Sequence, residues 1–211
     1  MKLRHITVRY GALTVLEDLS LELPDSGVIC FFAPSGAGKT TLLNLLCGLL
    51  QPDSGSITGL EDKRFAFVFQ EDRLVPSLSA RDNVELVLDR KHQGLAARYL
   101  SLLGLAGWED ALPGELSGGM QRRVAIARAF AYGEQCGQDT VYLLDEPLTG
   151  LDEETAARTL RLIRRWVSGK LAFFITHDRE QARQLADWIV TFSGQPIRAA
   201  QIEKNRPSIS N

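Results

Sequence analysis

The stretch Ala33-Pro34-Ser35-Gly36-Ala37-Gly38-Lys39-Thr40 gathers residue types that bind phosphate. Gly36 and Gly38 let backbone N–H groups close on phosphate oxygens, and a helix opening here adds the positive end of its dipole. The Lys39 ammonium can reach β- and γ-phosphates, and the Thr40 hydroxyl, with Thr41 beside it, can ligate Mg²⁺. The string matches the Walker A pattern at every defined position but the first, where Ala33 replaces Gly. Nucleotide binding is expected to survive that one added methyl.

Two further clusters extend this chemistry. Val141–Leu144 is an apolar run that ends in Asp145-Glu146. A carboxylate at the end of such a strand can hold Mg²⁺ through water, and the next can polarise a water for in-line attack on a γ-phosphate. Leu116-Ser117-Gly118-Gly119-Met120 offers a hydroxyl and two bare backbones at the start of a helix, a second anion-binding surface. One nucleotide rarely needs two such surfaces from one chain, whereas two chains facing each other would use both.

The elements that must position these residues alternate between strand and helix. Leu3–Tyr10 and Leu13–Leu23 show strand-like alternation, and Val28–Phe32 is a short buried strand leading straight into the phosphate loop. Leu42–Leu50 reads as a helix stopped at Gln51–Gly55, and Phe65–Phe69 as a strand ending at Gln70. Helical periodicity fills much of the chain from about 79 to 104, and Gln121–Ala131 reads as a helix, followed by a polar loop over Gly133–Asp139. Asp152 and Asp178 cap two later helices, Leu171–Ile175 is a strand, and Trp188–Phe192 reads as the last one. This pattern predicts an α/β sheet with crossovers, interrupted by a mainly helical insert.

With 45% hydrophobic and 24% charged residues and a formal net charge of -2, the 211 residues have the balance of a soluble globular chain. That charge argues against bulk affinity for nucleic acid. Cys30, Cys47 and Cys136 are odd in number and lack metal-site spacing, so neither a disulfide framework nor a zinc site is expected. MKLRHITVRY lacks the apolar core of a signal peptide, and no run reaches the length of a membrane span. Work at a membrane is expected to pass through a partner.

Taken in order, the motifs resemble those of the nucleotide-binding subunit of ABC transporters, over about residues 1–195. LSGGMQRRVAIARA matches the family signature, Thr149-Gly150-Leu151-Asp152 its D-loop, and Thr176-His177-Asp178 its switch histidine. The resemblance implies an α/β, P-loop NTPase core, a mainly parallel sheet flanked by helices, with an N-terminal antiparallel β region and an inserted helical subdomain at about 72–130. It implies one ATPase domain over 1–200 and a polar tail over 201–211.

Residue by residue, the resemblance implies that Tyr10 stacks on adenine and that Pro34, Ser35, Gly36, Ala37, Gly38, Lys39, Thr40 and Thr41 cradle the phosphates. It implies that Thr40, Gln70 and Asp145 serve Mg²⁺, that Glu146 is the general base, and that His177 bonds the γ-phosphate. Ser117, Gly118, Gly119 and Asp152 would complete the site of a facing chain. ATP and Mg²⁺ are the implied cofactors. The implied partners are a membrane permease, a solute-binding protein indirectly, and a second copy or closely related ABC subunit, with no nucleic acid. The implied location is cytoplasmic, peripheral on the inner face of the cell membrane. Glu71–Pro76 falls where the family receives a coupling helix of the permease.

VFQEDRLVPSLSARDNV and DEPLTGLD are similar to importer subunits of the nitrate, sulfonate and taurine type, and also to thiamine importers. The chain is shorter than usual for the family between Lys39 and Gln70. An exporter ATPase, or a soluble ABC ATPase acting on nucleic acid or ribosomes, is the alternative. A single cassette, a short helical insert and no net basic charge oppose the latter. Neither transported substrate nor direction is written in the sequence.

Overall fold

Strand and helix alternate through the computed structural model, which describes residues 1–34 and 36–205. In chain order the elements are β1 (Lys2–Tyr10), β2 (Leu13–Glu22), β3 (Gly27–Phe32), α1 (Lys39–Leu46), β4 (Ser54–Thr58), β5 (Arg64–Val68), α2 (Ala80–Glu85), α3 (Gly94–Leu102), α4 (Gly118–Cys136), β6 (Thr140–Asp145), α5 (Glu153–Trp166), β7 (Leu171–Ile175), α6 (Arg179–Leu185), β8 (Trp188–Ser193) and β9 (Ala199–Lys204). Their described residues form two compact units: Met1–Lys63 with 167–205, and Arg64–Trp166.

In the first unit β3 runs parallel to β7 on one side and β8 on the other, and β9 lies antiparallel to β8. Val28, Ile29, Cys30 and Phe31 are wholly buried, which explains a run with no polar position. Phe31 pairs with Ile175, so the residues after β3 and β7 leave along one carboxyl edge, where α/β sheets bind their ligands. β1 sits between β2 and β4 in a separate antiparallel sheet. Positive φ at His5 (52°) and Asp18 (50°) accompanies its register shifts, and the two side chains meet at 2.7 Å.

In the second unit β5 and β6 are parallel, with Val68 opposite Leu144, so Gln70 and Asp145–Glu146 also leave along one edge. Ser79 caps α2 by accepting from the Asp82 amide. The centre of this unit is aromatic: Phe130 stacks on Tyr142 at 4.8 Å and lies 4.8 Å from Trp166.

Four boundaries differ from the sequence reading. α1 starts at Lys39 and ends before Gly48, whose φ of 75° makes a left-handed stop ahead of the proline. β4 was hidden in what reads as turn residues. α4 continues through the expected polar loop to Cys136, because Glu134 accepts from Arg98 and Tyr99, and Gln135 from the Asp89 amide. The last strand is β9, held by its ladder to β8 although almost every residue is exposed. Residues 206–211, the rest of the expected polar tail, lie outside the described residues.

Candidate active site

The phosphate loop joins β3 to α1. Gly36 (φ 77°) and Gly38 (φ 98°) occupy the left-handed region that a Cβ disfavours, the backbone conformation by which a glycine-rich loop can present N–H groups to an anion. Lys39 is 6% exposed, and its ammonium donates to the carbonyls of Ala33 (2.7 Å) and Pro34 (2.9 Å). A buried cation within a ring of backbone, at a helix start without acidic residues, fits a polyphosphate. Ala33 is buried and is not among the residues with positive φ, so the first position of the motif does not require glycine here. Thr40 is exposed at the first turn of α1, with Thr41 following; Ser35 lies outside the described residues.

The same unit supplies Tyr10 and His177. Tyr10 ends β1, half exposed, paired across the hairpin with Leu13, which is 64% exposed. Leu13, Thr14 and Val15 line a cleft of about 420 Å³ with Gly36, Ala37, Gln195 and Pro196, a size suited to a small-molecule ligand. His177 is exposed after β7, between buried Thr176 and Asp178; Asp178 caps α6 by accepting from the Glu180 and Gln181 amides. Behind the loop, burial pushes the Cys30 thiol up to about 12.

In the second unit Asp145 is 2% exposed at the end of β6, and Glu146 follows with φ 46°. The Thr149 hydroxyl donates to Glu146 Oε2 at 3.3 Å. Gln70 is exposed beyond β5. Ser117 caps α4 by accepting from the Met120 amide. A Cβ on Gly119 would stand 3.2 Å from the Gly150 carbonyl, so the signature and the D-loop are in close approach. The Asp152 carboxylate accepts from the Thr155 amide at the start of α5, which holds its pKa below the usual value.

Two residues given no role by the sequence reading organise this unit. The Arg122 guanidinium, 3% exposed, donates to the carbonyls of Phe69, Gln70, Asp145, Glu146 and Pro147 and to Asp72 Oδ1. Fully buried Asn83 binds the carbonyls of Val75, Leu78 and Ser79 and accepts from the Val75 amide, which fixes the segment after Gln70. Arg122 stands inside the quoted signature string, and that was its only sequence signal.

Among known proteins, the ABC transporter family pattern matches residues 16–149, and this chain belongs to that family. Its relatives include the aliphatic sulfonates import ATP-binding protein SsuB 1 of Mesorhizobium japonicum, 40% identical over 90% of this chain and 74% of the relative. The sulfate/thiosulfate import ATP-binding protein CysA of Synechocystis is 36% identical over 92% of this chain and 58% of the relative. A dimeric post-hydrolysis structure of the ATP-binding cassette MJ0796, bound to ADP and Pi, superposes with a TM-score of 0.81 at 28% identity, covering 97% of this chain and 98% of that one. The fold is that of an ATP-binding cassette, and the chain is an ABC-family ATPase.

Proposed function

We propose that this chain binds and hydrolyses ATP as a subunit of an importer of small solutes, closing with a second copy around two ATP molecules. The observation that carries this reading is the phosphate loop, with its two left-handed glycines and a buried Lys39 folded over its own carbonyls. Import is supported by the two relatives named for import of sulfonates and of sulfate or thiosulfate. In this reading a separate permease carries the solute and this chain docks on its cytoplasmic side; no helix among the described residues is long and apolar enough to cross a membrane.

Lys39 and the backbone of Pro34–Thr41 hold the phosphates, Tyr10 stacks on the base, and His177 bonds the terminal phosphate. Thr40, Gln70 and Asp145 would hold Mg²⁺, which when bound neutralises phosphate charge. Glu146 orients the attacking water and takes its proton. Ser117, Gly118, Gly119 and Asp152 face the nucleotide of the other copy, so binding closes the pair and hydrolysis opens it.

Glu146→Gln tests this. The variant is expected to bind ATP as the wild type does, to lose turnover, and to accumulate an ATP-dependent dimer in size-exclusion chromatography. A variant that stays monomeric in ATP and turns over normally overturns the proposal.

A further inference from the structure

Among the described residues of Arg64–Trp166, two non-glycine residues have positive φ: Arg73 (48°) and Glu146 (46°). A side chain with a Cβ resists this conformation, and such residues persist only where their surroundings fix them. The carbonyl of each is held by a guanidinium from α4. Arg122 Nη2 donates to the Glu146 carbonyl at 2.8 Å, and Arg128 Nη1 to the Arg73 carbonyl at 2.8 Å.

The grip on each bend reaches beyond that one carbonyl. Arg122 also takes the carbonyls of Asp145 (2.8 Å) and Pro147 (3.0 Å), so three successive peptide groups around Glu146 are fixed by one planar donor. Arg128 Nη2 takes the Asp72 carbonyl at 2.7 Å. Asp72 joins the two clamps, since its carboxylate accepts from Arg122 Nη1 at 3.0 Å. Arg122 Nη1 also reaches the carbonyls of Phe69 (2.5 Å) and Gln70 (3.3 Å). The helix that supplies both guanidiniums begins at Gly118, capped by Ser117.

We infer that Arg122 and Arg128 are positioning residues, a paired clamp on α4 that holds the strained turn at Glu146 and the strained turn after Gln70 in fixed register with the signature residues. The inference rests on the proposed role of Glu146. Its consequence is mechanical. A shift of α4 driven by contacts at Ser117–Gly119 carries both turns with it, because the guanidinium fork is planar and does not adapt as an ammonium does. Arg122 thereby sets where the Glu146 carboxylate points without touching ATP itself.

The test uses full-length Arg122→Lys, Arg128→Gln and Arg128→Gln/Arg73→Gly, measuring ATP Kd and single-turnover hydrolysis. Lysine retains the charge and loses the fork. Arg122→Lys is expected to lower the hydrolysis rate on the order of 100-fold, the cost of a small misplacement of a catalytic group, with ATP Kd within about twofold of wild type. Arg128→Gln is expected to slow hydrolysis less, and Arg73→Gly to restore part of the loss, because glycine holds positive φ without a clamp. Unchanged rates in both single variants overturn the clamp, as does a parallel loss of binding and rate that tracks the folded fraction. Glu146→Gln with intact turnover instead overturns the role of Glu146 on which the clamp depends.

Discussion

Gly133 sits inside α4 where alanine is the better helix former, and Gly133→Ala pits propensity against packing. Alanine in a helix interior is favoured over glycine by about 1 kcal/mol. At this position, however, an added Cβ would lie 2.5 Å from Tyr142 Cζ and 2.6 Å from Cε1, and nearer still to the hydroxyl. The ring has nowhere to go: Tyr142 is 1% exposed and stacked on Phe130, itself wholly buried. Moving the helix instead would disturb the Thr140 hydroxyl, which donates to the Gly133 carbonyl at 3.0 Å. Overpacking of this kind costs about 1–3 kcal/mol, and three contacts inside normal approach place it towards the upper end. The net expectation is a loss of about 1–2 kcal/mol.

Urea unfolding followed by tryptophan fluorescence reads this directly, since Trp166 lies against Phe130. The midpoint should fall for Gly133→Ala, and fall less in a Tyr142→Phe background, where the nearest clashing atom is gone. A double-mutant cycle with a coupling of about 0.5 kcal/mol or more establishes the contact. A midpoint that rises, with no coupling to Tyr142, would mean that propensity wins and the reasoning is wrong. Tyr142 stands three positions before Asp145 on β6, so a helix displaced by the clash would also slow hydrolysis. ATP Kd should hold, because the phosphate loop belongs to the other unit.

Leu13→Ala at the wall of the cleft beside the phosphate loop should raise ATP Kd about three- to tenfold through lost apolar contact with the nucleoside. Competition by inorganic tripolyphosphate should be unchanged, and equal weakening of both ligands would refute that placement. Alkaline pH should destabilise the fold. Burial raises Cys30 to about 12 from 9.0, and burial first raises both Tyr99 and Tyr142 above 10.0. The unfolded chain ionises these groups before the folded one does. These groups should therefore leave the unfolding free energy unchanged well below pH 9 and lower it above, by about 1.4 kcal/mol per pH unit for each group ionised only when unfolded, with the urea midpoint falling in step. A midpoint still flat at pH 10.5 would count against it.

What the sequence reveals and what it hides divide along a physical line. The phosphate-binding role proposed for Ala33–Thr40 rests on backbone and side chains within eight consecutive positions, so residue spacing alone can suggest it, and the fold class follows from the apolar runs that feed each motif. The end of α4 is not legible in the sequence, because Glu134 and Gln135 look like loop residues until their partners at Asp89, Arg98 and Tyr99 are known. β9 was missed for a related reason, since a ladder holds it and no apolar face marks it. Arg122 is the extreme case. Its acceptors lie between 23 and 53 positions away, and five of the six are carbonyls, which carry no residue identity at all.

The strained φ of Glu146 shows why that hidden layer matters to function. Nothing in Asp145-Glu146-Pro147 announces a left-handed glutamate, and an unsupported chain would relax out of it. Proline at 147 has no N–H and excludes the ordinary helical continuation, which narrows the choices without selecting the observed one. The selection comes from Arg122, which binds the carbonyls on both sides of the bend as well as that of Glu146. The carboxylate proposed to activate water is thus named by a local motif and aimed by a distant one. Substitutions at Arg122 or Arg128 that leave Ala33–Thr40, Ser117–Gly119 and Asp145–Glu146 intact should therefore slow hydrolysis while sparing nucleotide binding.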